Sequence, residues 1–342
     1  MKKSLIALSV FGAFAGAAQA QSSVTLYGIA DANLQFANNG SQSITKIQSG
    51  GVLTSRFGLK GSEDLGGGLK AIFNLESGFN IDNGTSRSAS TLFDRAALVG
   101  LNGGFGTVSV GRQLNPVFLV QNDTTFNKGG MAWGNATNYF ATGYNLSSRL
   151  NNSLAYSTNN LSGFTGTLLY SAGESAVAPK SLGNVFAGKV AYANGPLLVN
   201  LGYESNKATA VATQKTTALG ASYDLGVVKL GGLFTNFKAD GSADDSRIYE
   251  IYGYVPLGGG NLLLDYGKIK DKTNDTKSAK AFSIRYDYSL SKRTFAYVGF
   301  AKVKNEGAAV YAPVGAGEGN ALTPAVAGQD PRAFIVGVSH AF

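Results

Sequence analysis

Residues 55–79 read SRFGLKGSEDLGGGLKAIFNLESGF and carry the pattern that decides the fold. Apolar and polar residues alternate here, so that Phe57 and Leu59 fall on one face of an extended segment while Arg56 falls on the other. The glycine-rich stretch Asp64–Gly68 is typical of a tight turn, because glycine tolerates positive φ. Residues 55–79 therefore predict a β-hairpin with one apolar and one polar face.

The same unit, an alternating segment followed by a turn, recurs from Ser23 to the end of the chain. About 16 such segments can be counted, an even number of the kind that a closed bacterial barrel requires. Two of them, Val52–Lys60 and Leu92–Leu101, contain basic residues of interest. Short glycine-containing connections alternate with longer polar stretches such as Ala37–Gly51. This alternation predicts tight turns at one end of the barrel and longer loops at the other. We predict an all-β fold, a 16-stranded antiparallel transmembrane β-barrel without a second domain.

Composition supports strands over helices. The chain of 342 residues contains 46 Gly, 20 Phe and 16 Tyr, and only 15% of its residues are charged. Glycine costs about 1 kcal/mol per helical position relative to alanine, whereas aromatic residues suit a pleated surface. The absence of cysteine excludes disulfides and thiolate metal sites.

The first residues predict export. Met1-Lys2-Lys3 precede the apolar stretch Leu5–Ala18, and small residues follow at Ala18-Gln19-Ala20. These are the three regions of a secretory signal peptide, which we predict over residues 1–20, so that the barrel occupies residues 21–342. The apolar stretch is too short to span a bilayer as a helix, and nothing after it approaches the roughly 20 apolar residues that a span requires. A membrane role would have to use strands.

Alternation alone leaves open a soluble, exported β-sandwich with its apolar face turned inward. Export and the final segment favour the membrane, because Phe334, Val336, Val338, His340 and Phe342 share one face, which we predict to contact lipid. Aromatic residues near segment ends also match the girdles of membrane barrels. The girdle candidates are Tyr249, Tyr252, Tyr254, Tyr286, Tyr288, Phe295 and Tyr297.

The sequence argues against an enzyme and against a nucleic-acid-binding protein. His340 is the single histidine, so a serine or threonine nucleophile would lack its usual base and orienting partner. The formal net charge is +8, but the basic residues are spread singly along the chain. The acidic stretch Asp271–Asp275 lacks the ligand spacing of a calcium loop. We expect no catalytic residue, no cofactor and no metal site.

The longest irregular stretch, Leu114–Ser148, is predicted to be an ordered functional loop. Stretches beyond about 15 residues without regular structure are usually functional or disordered, and Phe118, Trp133 and Tyr139 give this one apolar surface to bury. A loop of this size can fold into a wide lumen and narrow it. We therefore predict a constriction loop over residues 114–148.

The chain resembles the general trimeric porins of beta-proteobacteria over essentially its whole mature length. The matching motifs are SVTLYG at residues 23–28, SRFG at 55–58 with GSEDLG at 61–66, GFGTV at 104–108 with GRQ at 111–113, RLNNS at 149–153 with Tyr156, and VGVSHAF at 336–342. Each motif is weak alone, but together and in this order they are highly specific.

The resemblance implies a homotrimer, an inward-folded constriction loop and a basic wall facing that loop. By position, Arg56, Lys60, Arg95 and Arg149 match the basic wall. Alternation supports Arg56, Lys60 and Arg149, whereas Arg95 shares its face with apolar residues, as does the doubtful candidate Arg112. On the loop, Asp123 is the only acidic residue and is accompanied by Lys128. The resemblance also implies that Phe342 is the assembly signal recognised by the barrel-assembly machinery.

These features predict a water-filled channel for passive diffusion of ions and small hydrophilic solutes in the outer membrane of a Gram-negative bacterium. Several arginines with one aspartate would favour anions weakly, because like charges in a pore select counter-ions. An alternative is a substrate-specific channel for a sugar or a carboxylate. The expected partners are further copies of the chain, outer-membrane lipid and lipopolysaccharide, the barrel-assembly machinery and small solutes including anions, without nucleic acid.

Overall fold

The computed structural model describes residues 23–125, 133–141, 146–176, 178–240, 245–273, 275–316 and 323–342. Within these ranges, no helix is long and apolar enough to cross a bilayer. The predicted signal peptide over residues 1–20 lies outside the described residues.

Seventeen strand segments form one sheet in which every observed pairing is antiparallel. They are β1 Ser23–Asn38, β2 Ser43–Ser49, β3 Arg56–Gly66, β4 Leu69–Gly78, β5 Ala96–Gly103, β6 Gly106–Leu114, β7 Arg149–Ser157, β8 Phe164–Ser171, β9 Val185–Asn194, β10 Leu197–Asn206, β11 Thr213–Asp224, β12 Lys229–Asp240, β13 Asp245–Leu257, β14 Gly260–Asp271, β15 Ala279–Ser289, β16 Thr294–Asn305 and β17 Arg332–Ala341. In the described ranges, two short α-helices, α1 Pro116–Thr124 and α2 Ala136–Tyr139, and a 3-10 turn, Asp275–Lys277, lie between strands.

The sheet closes on itself through β1. One edge of β1 pairs with β17 along Ile29–Asn38, and its other edge pairs with β2 and β3. Because β2 and β3 lie end to end beside the same strand, the 17 segments fill 16 positions around the ring. The prediction of a 16-stranded antiparallel barrel is confirmed.

The prediction of one strand over Val52–Lys60 is wrong in its first half. Residues 50–55 leave the wall between β2 and β3, and Val52 is fully buried. The backbone NH of Leu53 donates to Asp31 Oδ2 at 3.0 Å, which replaces the lost strand pairing. The predicted loop Ala37–Gly51 likewise contains β2, which alternation did not reveal because its exposed apolar residues, Ile44 and Ile47, have opposite parity.

The two faces of the wall differ as a membrane barrel requires. Large apolar side chains such as Leu230, Tyr266 and Val336 are exposed on the outside, whereas polar side chains such as Asp31 and Arg285 are buried inside. An apolar exterior is what lipid contact demands. His340 lies on the outer face, as predicted, and its Nδ1 is 2.8 Å from Thr294 Oγ1.

The aromatic-girdle prediction holds for some residues and is wrong for others. Tyr286 and Tyr288 lie on the outer face near the turns, and Tyr286 OH donates to the carbonyl of Leu257 at 2.8 Å. Tyr252, Phe295 and Tyr297 are instead buried on the inner face. The rings of Tyr252 and Tyr297 fill space left by glycines on neighbouring strands, which the pattern of one strand cannot reveal. A Cβ at Gly231 would meet the Tyr252 ring at 2.3 Å, and one at Gly337 would meet the Tyr297 ring at 2.4 Å.

Candidate functional site: an arginine cluster in the barrel lumen

Helix α1 lies against the inner wall. Asn115 caps the helix by accepting a hydrogen bond from Val117 NH at 2.9 Å, and Pro116 occupies the first turn, where no NH is needed. The helix packs on β8–β12 over two glycines. A Cβ at Gly202 would come within 2.9 Å of Val120, and one at Gly220 within 2.2 Å of Thr124 Oγ1. The glycines therefore let the helix approach the wall closely.

Polar contacts fix α1 in place. Asn115 Nδ2 donates to Glu204 of β10, and Gln121 Nε2 donates to Thr235 Oγ1 of β12 at 3.3 Å. Asn200 Nδ2 donates to Thr124 Oγ1 at 3.2 Å. Because these side chains are buried, each contact also satisfies a group that would otherwise be costly to desolvate.

The second described part of the segment, around α2, is attached to the neighbouring strands. Ala136 NH donates to Asp265 Oδ1 at 3.0 Å, and Thr137 Oγ1 donates to Glu250. Arg285 donates to the carbonyl of Trp133 and forms a bidentate pair with Asp287, at 2.8 and 3.0 Å. The described parts of this segment, residues 114–125, 133–141 and 146–148, thus lie in the lumen, which agrees with the prediction of an inward-folded loop.

Opposite α1, two arginines share one carboxylate. Arg95 Nε donates to Glu76 Oε1 at 2.6 Å, and Arg56 Nε lies 3.6 Å from Glu76 Oε2. Tyr27 OH also donates to Glu76 Oε2 at 2.9 Å. One negative charge therefore serves two positive ones, and the buried Nη1 of Arg56 has no hydrogen-bond partner among the described residues.

Three more arginines surround this pair. Arg149 Nε donates to the carbonyl of Arg95 at 2.7 Å, and Arg112 Nε donates to the carbonyl of Asp94 at 2.8 Å. Arg87 Nη1 lies 3.6 Å from Asp94 Oδ2. In the loop between β4 and β5, burial lowers the pKa of Arg87, and repulsion from Arg95 acts in the same direction. A guanidinium remains charged despite such a shift.

The cluster carries an excess of positive charge. Its five arginines, Arg56, Arg87, Arg95, Arg112 and Arg149, are accompanied by two carboxylates, Glu76 and Asp94. Within the described part of the chain, no carboxylate lies within 4.0 Å of Arg149, whose donors reach a carbonyl and the Ser148 hydroxyl. Mobile anions are the natural counter-charges for such a group.

A cavity of about 260 Å³ separates the cluster from α1. Arg87, Arg95 and Arg149 line one side, and Phe118, Gln121 and Asn122 of α1 line another. Thr54, from the segment that leaves the wall between β2 and β3, also lines it. The structure thus brings the predicted residues Arg95 and Arg149 to one cavity, next to Arg56.

The position of Arg95 differs from the sequence prediction. The predicted strand Leu92–Leu101 begins later in the structure, at Ala96, so alternation does not govern Arg95. Released from the strand, its side chain reaches Glu76. Arg112 lies at a β-bulge between Gly111 and Gln113, which likewise removes it from simple alternation.

The other predicted residues are not all brought to the cavity. Lys60 extends over the Tyr27 ring, with Nζ 5.2 Å from the ring centroid. Asp123 does not line the cavity and pairs with Lys189 of β9, on the wall that carries α1. Lys128 lies outside the described residues.

Phe342 closes the ring near its N-terminal strand. Its NH donates to the carbonyl of Gly28 at 3.0 Å, and Gly28 NH donates to the carbonyl of Phe342 at 3.1 Å. The phenyl ring of Phe342 occupies the space beside Gly28, so that a Cβ on Gly28 would lie 2.1 Å from it. The last residue is thus integrated into the wall while 48% of it stays exposed.

Sequence reasoning did not find Glu76, Arg87 and Asp94. Glu76 shares the polar face of β4 with Lys70 and Asn74, so alternation could have found it. Arg87 and Asp94 lie in a stretch with no periodic pattern, and only the folded loop brings them together.

Comparison with known proteins agrees with this architecture. The family model of Gram-negative porins matches residues 7–308. Outer membrane porin protein 32 of Delftia acidovorans is 38% identical over the full length of both chains, and an outer membrane porin protein of Bordetella pertussis is 33% identical over 88% of this chain and 94% of its own. The solved structure of an anion-selective porin from Comamonas acidovorans superimposes with a TM-score of 0.81 at 35% identity, covering 94% of this chain and 100% of that one.

A more distant structure, a trimer form of OmpT from Vibrio cholerae, has a TM-score of 0.68 at 16% identity over 94% of this chain and 99% of its own, and supports the fold alone. The closed 16-position barrel, the segment folded into its lumen and the full-length matches lead to one conclusion: the chain belongs to the family of Gram-negative porins, channel-forming proteins of the outer membrane.

Proposed function

We propose that this porin conducts small anions in preference to cations, weakly, and that Arg56, Lys60, Arg95 and Arg149 form the basic wall of its constriction. The observation that carries the proposal is the cavity between α1 and the arginines, which Arg87, Arg95 and Arg149 line. Arg149 has no carboxylate within 4.0 Å among the described residues, so its charge faces the permeating solution. The 35% identity to a porin described as anion-selective agrees.

The two charged loop residues, Asp123 and Lys128, affect the electrostatic field of the arginines differently. Asp123 is paired with Lys189, so its negative charge is compensated locally and takes little from the field of the arginines. Lys128 is proposed to add positive charge to the loop side of the constriction. The proposed selectivity is weak because water fills the passage and screens each charge.

The proposed assembly is a homotrimer, exported with cleavage after Ala20 and inserted by the barrel-assembly machinery through recognition of Phe342. Its exposed position at the end of the last strand makes Phe342 accessible to a partner. The homotrimer is proposed from the resemblance of the sequence motifs to the trimeric porins. Lipopolysaccharide is the proposed lipid partner. Conductance steps grouped in threes after reconstitution would support the trimer, and single steps throughout would oppose it.

Reversal potentials in planar bilayers under a potassium chloride gradient test the selectivity. We expect the sign of an anion-preferring channel, and the preference should fall as salt concentration rises, because ions screen the arginines. A cation preference would contradict the proposal. The alternative, a channel specific for a sugar or a carboxylate, predicts saturable block of the ion current by one such solute.

A further inference from the structure

The outer face of the barrel carries a row of lysines near the loop end. Lys268 of β14 lies directly opposite Lys280 of β15, and Lys280 lies directly opposite Lys304 of β16. All three share the outward parity of exposed apolar residues such as Tyr266 and Phe282. We call Lys268, Lys280 and Lys304 the lysine row.

More cations flank the lysine row. On the same outer face, Arg247 lies opposite Lys270, and Lys302 lies opposite Arg332. Five adjacent strands, β13–β17, therefore present seven positive side chains at one level of the barrel. One of these cations has an acidic partner among the described residues: Lys302 Nζ is 3.7 Å from Asp330 Oδ2.

The lysine row requires anions that the described residues do not provide. Directly opposite residues have their Cβ atoms about 5 Å apart, and like charges in such positions repel. Across the described ranges, no carboxylate lies within 4.0 Å of Lys268, Lys280 or Lys304. Elsewhere on the barrel, Lys215, Lys229 and Lys238 are each paired with an aspartate.

An apolar depression begins at the lysine row and runs along the wall. Lys268 lines a depression of about 510 Å³ with Phe234, Tyr249, Ile251 and Tyr266, and its floor is Gly232. A second depression of about 470 Å³ shares Ile251 and Tyr266 and continues to Leu230, Gly253 and Leu264. From Lys268 to Leu264 the strand covers roughly 13 Å. The lysine row thus lies at the loop end of an apolar groove on the lipid-facing surface.

We propose that the lysine row and its groove bind a phosphorylated glycolipid of the outer leaflet, with phosphate at Lys268, Lys280 and Lys304 and an acyl chain in the groove. Longer loops mark the extracellular end of an outer-membrane barrel, so the row lies at the level of outer-leaflet headgroups. A charge on the lipid face is tolerated at this interface but is costly near mid-membrane. The inference rests on the proposed lipopolysaccharide partner and assigns its site.

The test compares three forms of the full mature porin, purified in detergent and free of lipopolysaccharide: the wild type, the triple variant Lys268→Gln, Lys280→Gln, Lys304→Gln, and the control Lys215→Gln, Lys229→Gln, Lys238→Gln. Both variants remove three positive charges. Thermal unfolding is followed against added lipopolysaccharide, lipopolysaccharide stripped of its phosphates, and inorganic phosphate, because a ligand that binds the folded state raises its unfolding temperature. Each cation near a lipid surface is worth about a fivefold factor in affinity.

We expect intact lipopolysaccharide to stabilise the wild type and the control alike, and to bind the lysine-row variant about a hundredfold more weakly. Equal binding to all three forms would overturn the site but leave the lipid partner standing, whereas no binding to the wild type would overturn both. Equal stabilisation by the phosphate-free lipid, or by inorganic phosphate alone, would overturn recognition of a lipid phosphate. Conductance and reversal potential, measured on the same proteins, should not change, because the row lies outside the pore. Failure of the anion-selectivity proposal would therefore be seen separately.

Discussion

At the scale of single residues, the proposed constriction depends on how few acids accompany its arginines. Glu76 is shared between Arg56 and Arg95, and Arg149 reaches only oxygen atoms of neutral groups among the described residues. Two neighbouring guanidinium groups can be held together when a carboxylate lies between them. The remaining positive charge is available to permeating ions.

Replacing Arg149 by Gln should reduce anion preference. The anion-to-cation permeability ratio is expected to fall about threefold, the combined effect on anions and cations of one charge acting over about 6 Å in water at about 0.1 M salt. Reversal potentials in a salt gradient measure the ratio. Arg293→Gln is the matched control, because Arg293 lies in the exposed turn between β15 and β16. Equal effects of the two substitutions would remove Arg149 from the constriction.

Replacing Gly28 by Ala should destabilise the closure of the barrel. The added Cβ would lie 2.1 Å from the Phe342 ring and 2.7 Å from the Arg56 carbonyl, so the last residue must move. Overpacking of this kind costs roughly 1–3 kcal/mol. Unfolding in denaturant measures the loss, with Gly104→Ala as control, since nothing lies within 4 Å of a Cβ there. Unchanged stability of the Gly28 variant would contradict the tight packing of Phe342.

Sequence alternation could assign Arg56 and Arg149 to the polar face because both begin regular strands. It could not place Arg87, Arg95 or Asp94, since these residues lie between β4 and β5, where no period applies. The partner of Asp123 was equally hidden, because Lys189 is 66 positions further along the chain and only the packing of α1 on β9 brings them together.

At the scale of elements, the inserted segment is held by contacts from several strands. Alternation and turn residues predicted most strands, and the length and aromatic content of residues 114–148 predicted the inward loop. The break between β2 and β3 was not predictable, because residues 50–55 leave the wall to contact β1 and the inserted segment. Gly51, for example, accepts a hydrogen bond from Trp133 NH at 3.0 Å.

Replacing Arg285 by Met should loosen the inserted segment. The change removes the hydrogen bond to Trp133 and leaves Asp287 buried without its bidentate partner. Breaking a buried pair costs about 3–5 kcal/mol, so we expect lower stability to denaturant and greater noise in single-channel currents. Arg332→Met, on the exposed outer face, serves as control. Quiet currents at wild-type stability would mean that Arg285 does not hold the segment.

At the scale of the whole molecule, stability depends on closing the ring. β17 pairs with β16 on one side and with β1 on the other, so removing it exposes two strand edges at once. Unpaired backbone groups cannot be satisfied by lipid, and an open sheet edge does not persist there.

Deletion of residues 332–342 should therefore abolish the folded barrel. We expect neither vesicle permeability nor the heat-sensitive electrophoretic mobility of a folded porin. Inserting a ten-residue glycine-serine segment in the turn between β11 and β12 is the control, because exposed turns tolerate insertion. Ion conduction by the truncated protein would refute the need for β17.

Helix α1 lies on β8–β12 and the arginines lie across the cavity from it, so the two sides of the cavity differ in chemistry. A zwitterion entering this cavity has its own dipole and meets the guanidinium groups of Arg87, Arg95 and Arg149 on one side. It should therefore travel aligned, with its carboxylate toward Arg95 and Arg149 and its ammonium group turned away from them. Two stereoisomers of such a solute would then present different edges to the helix, so a diffusion pore of this kind should pass mirror images at different rates.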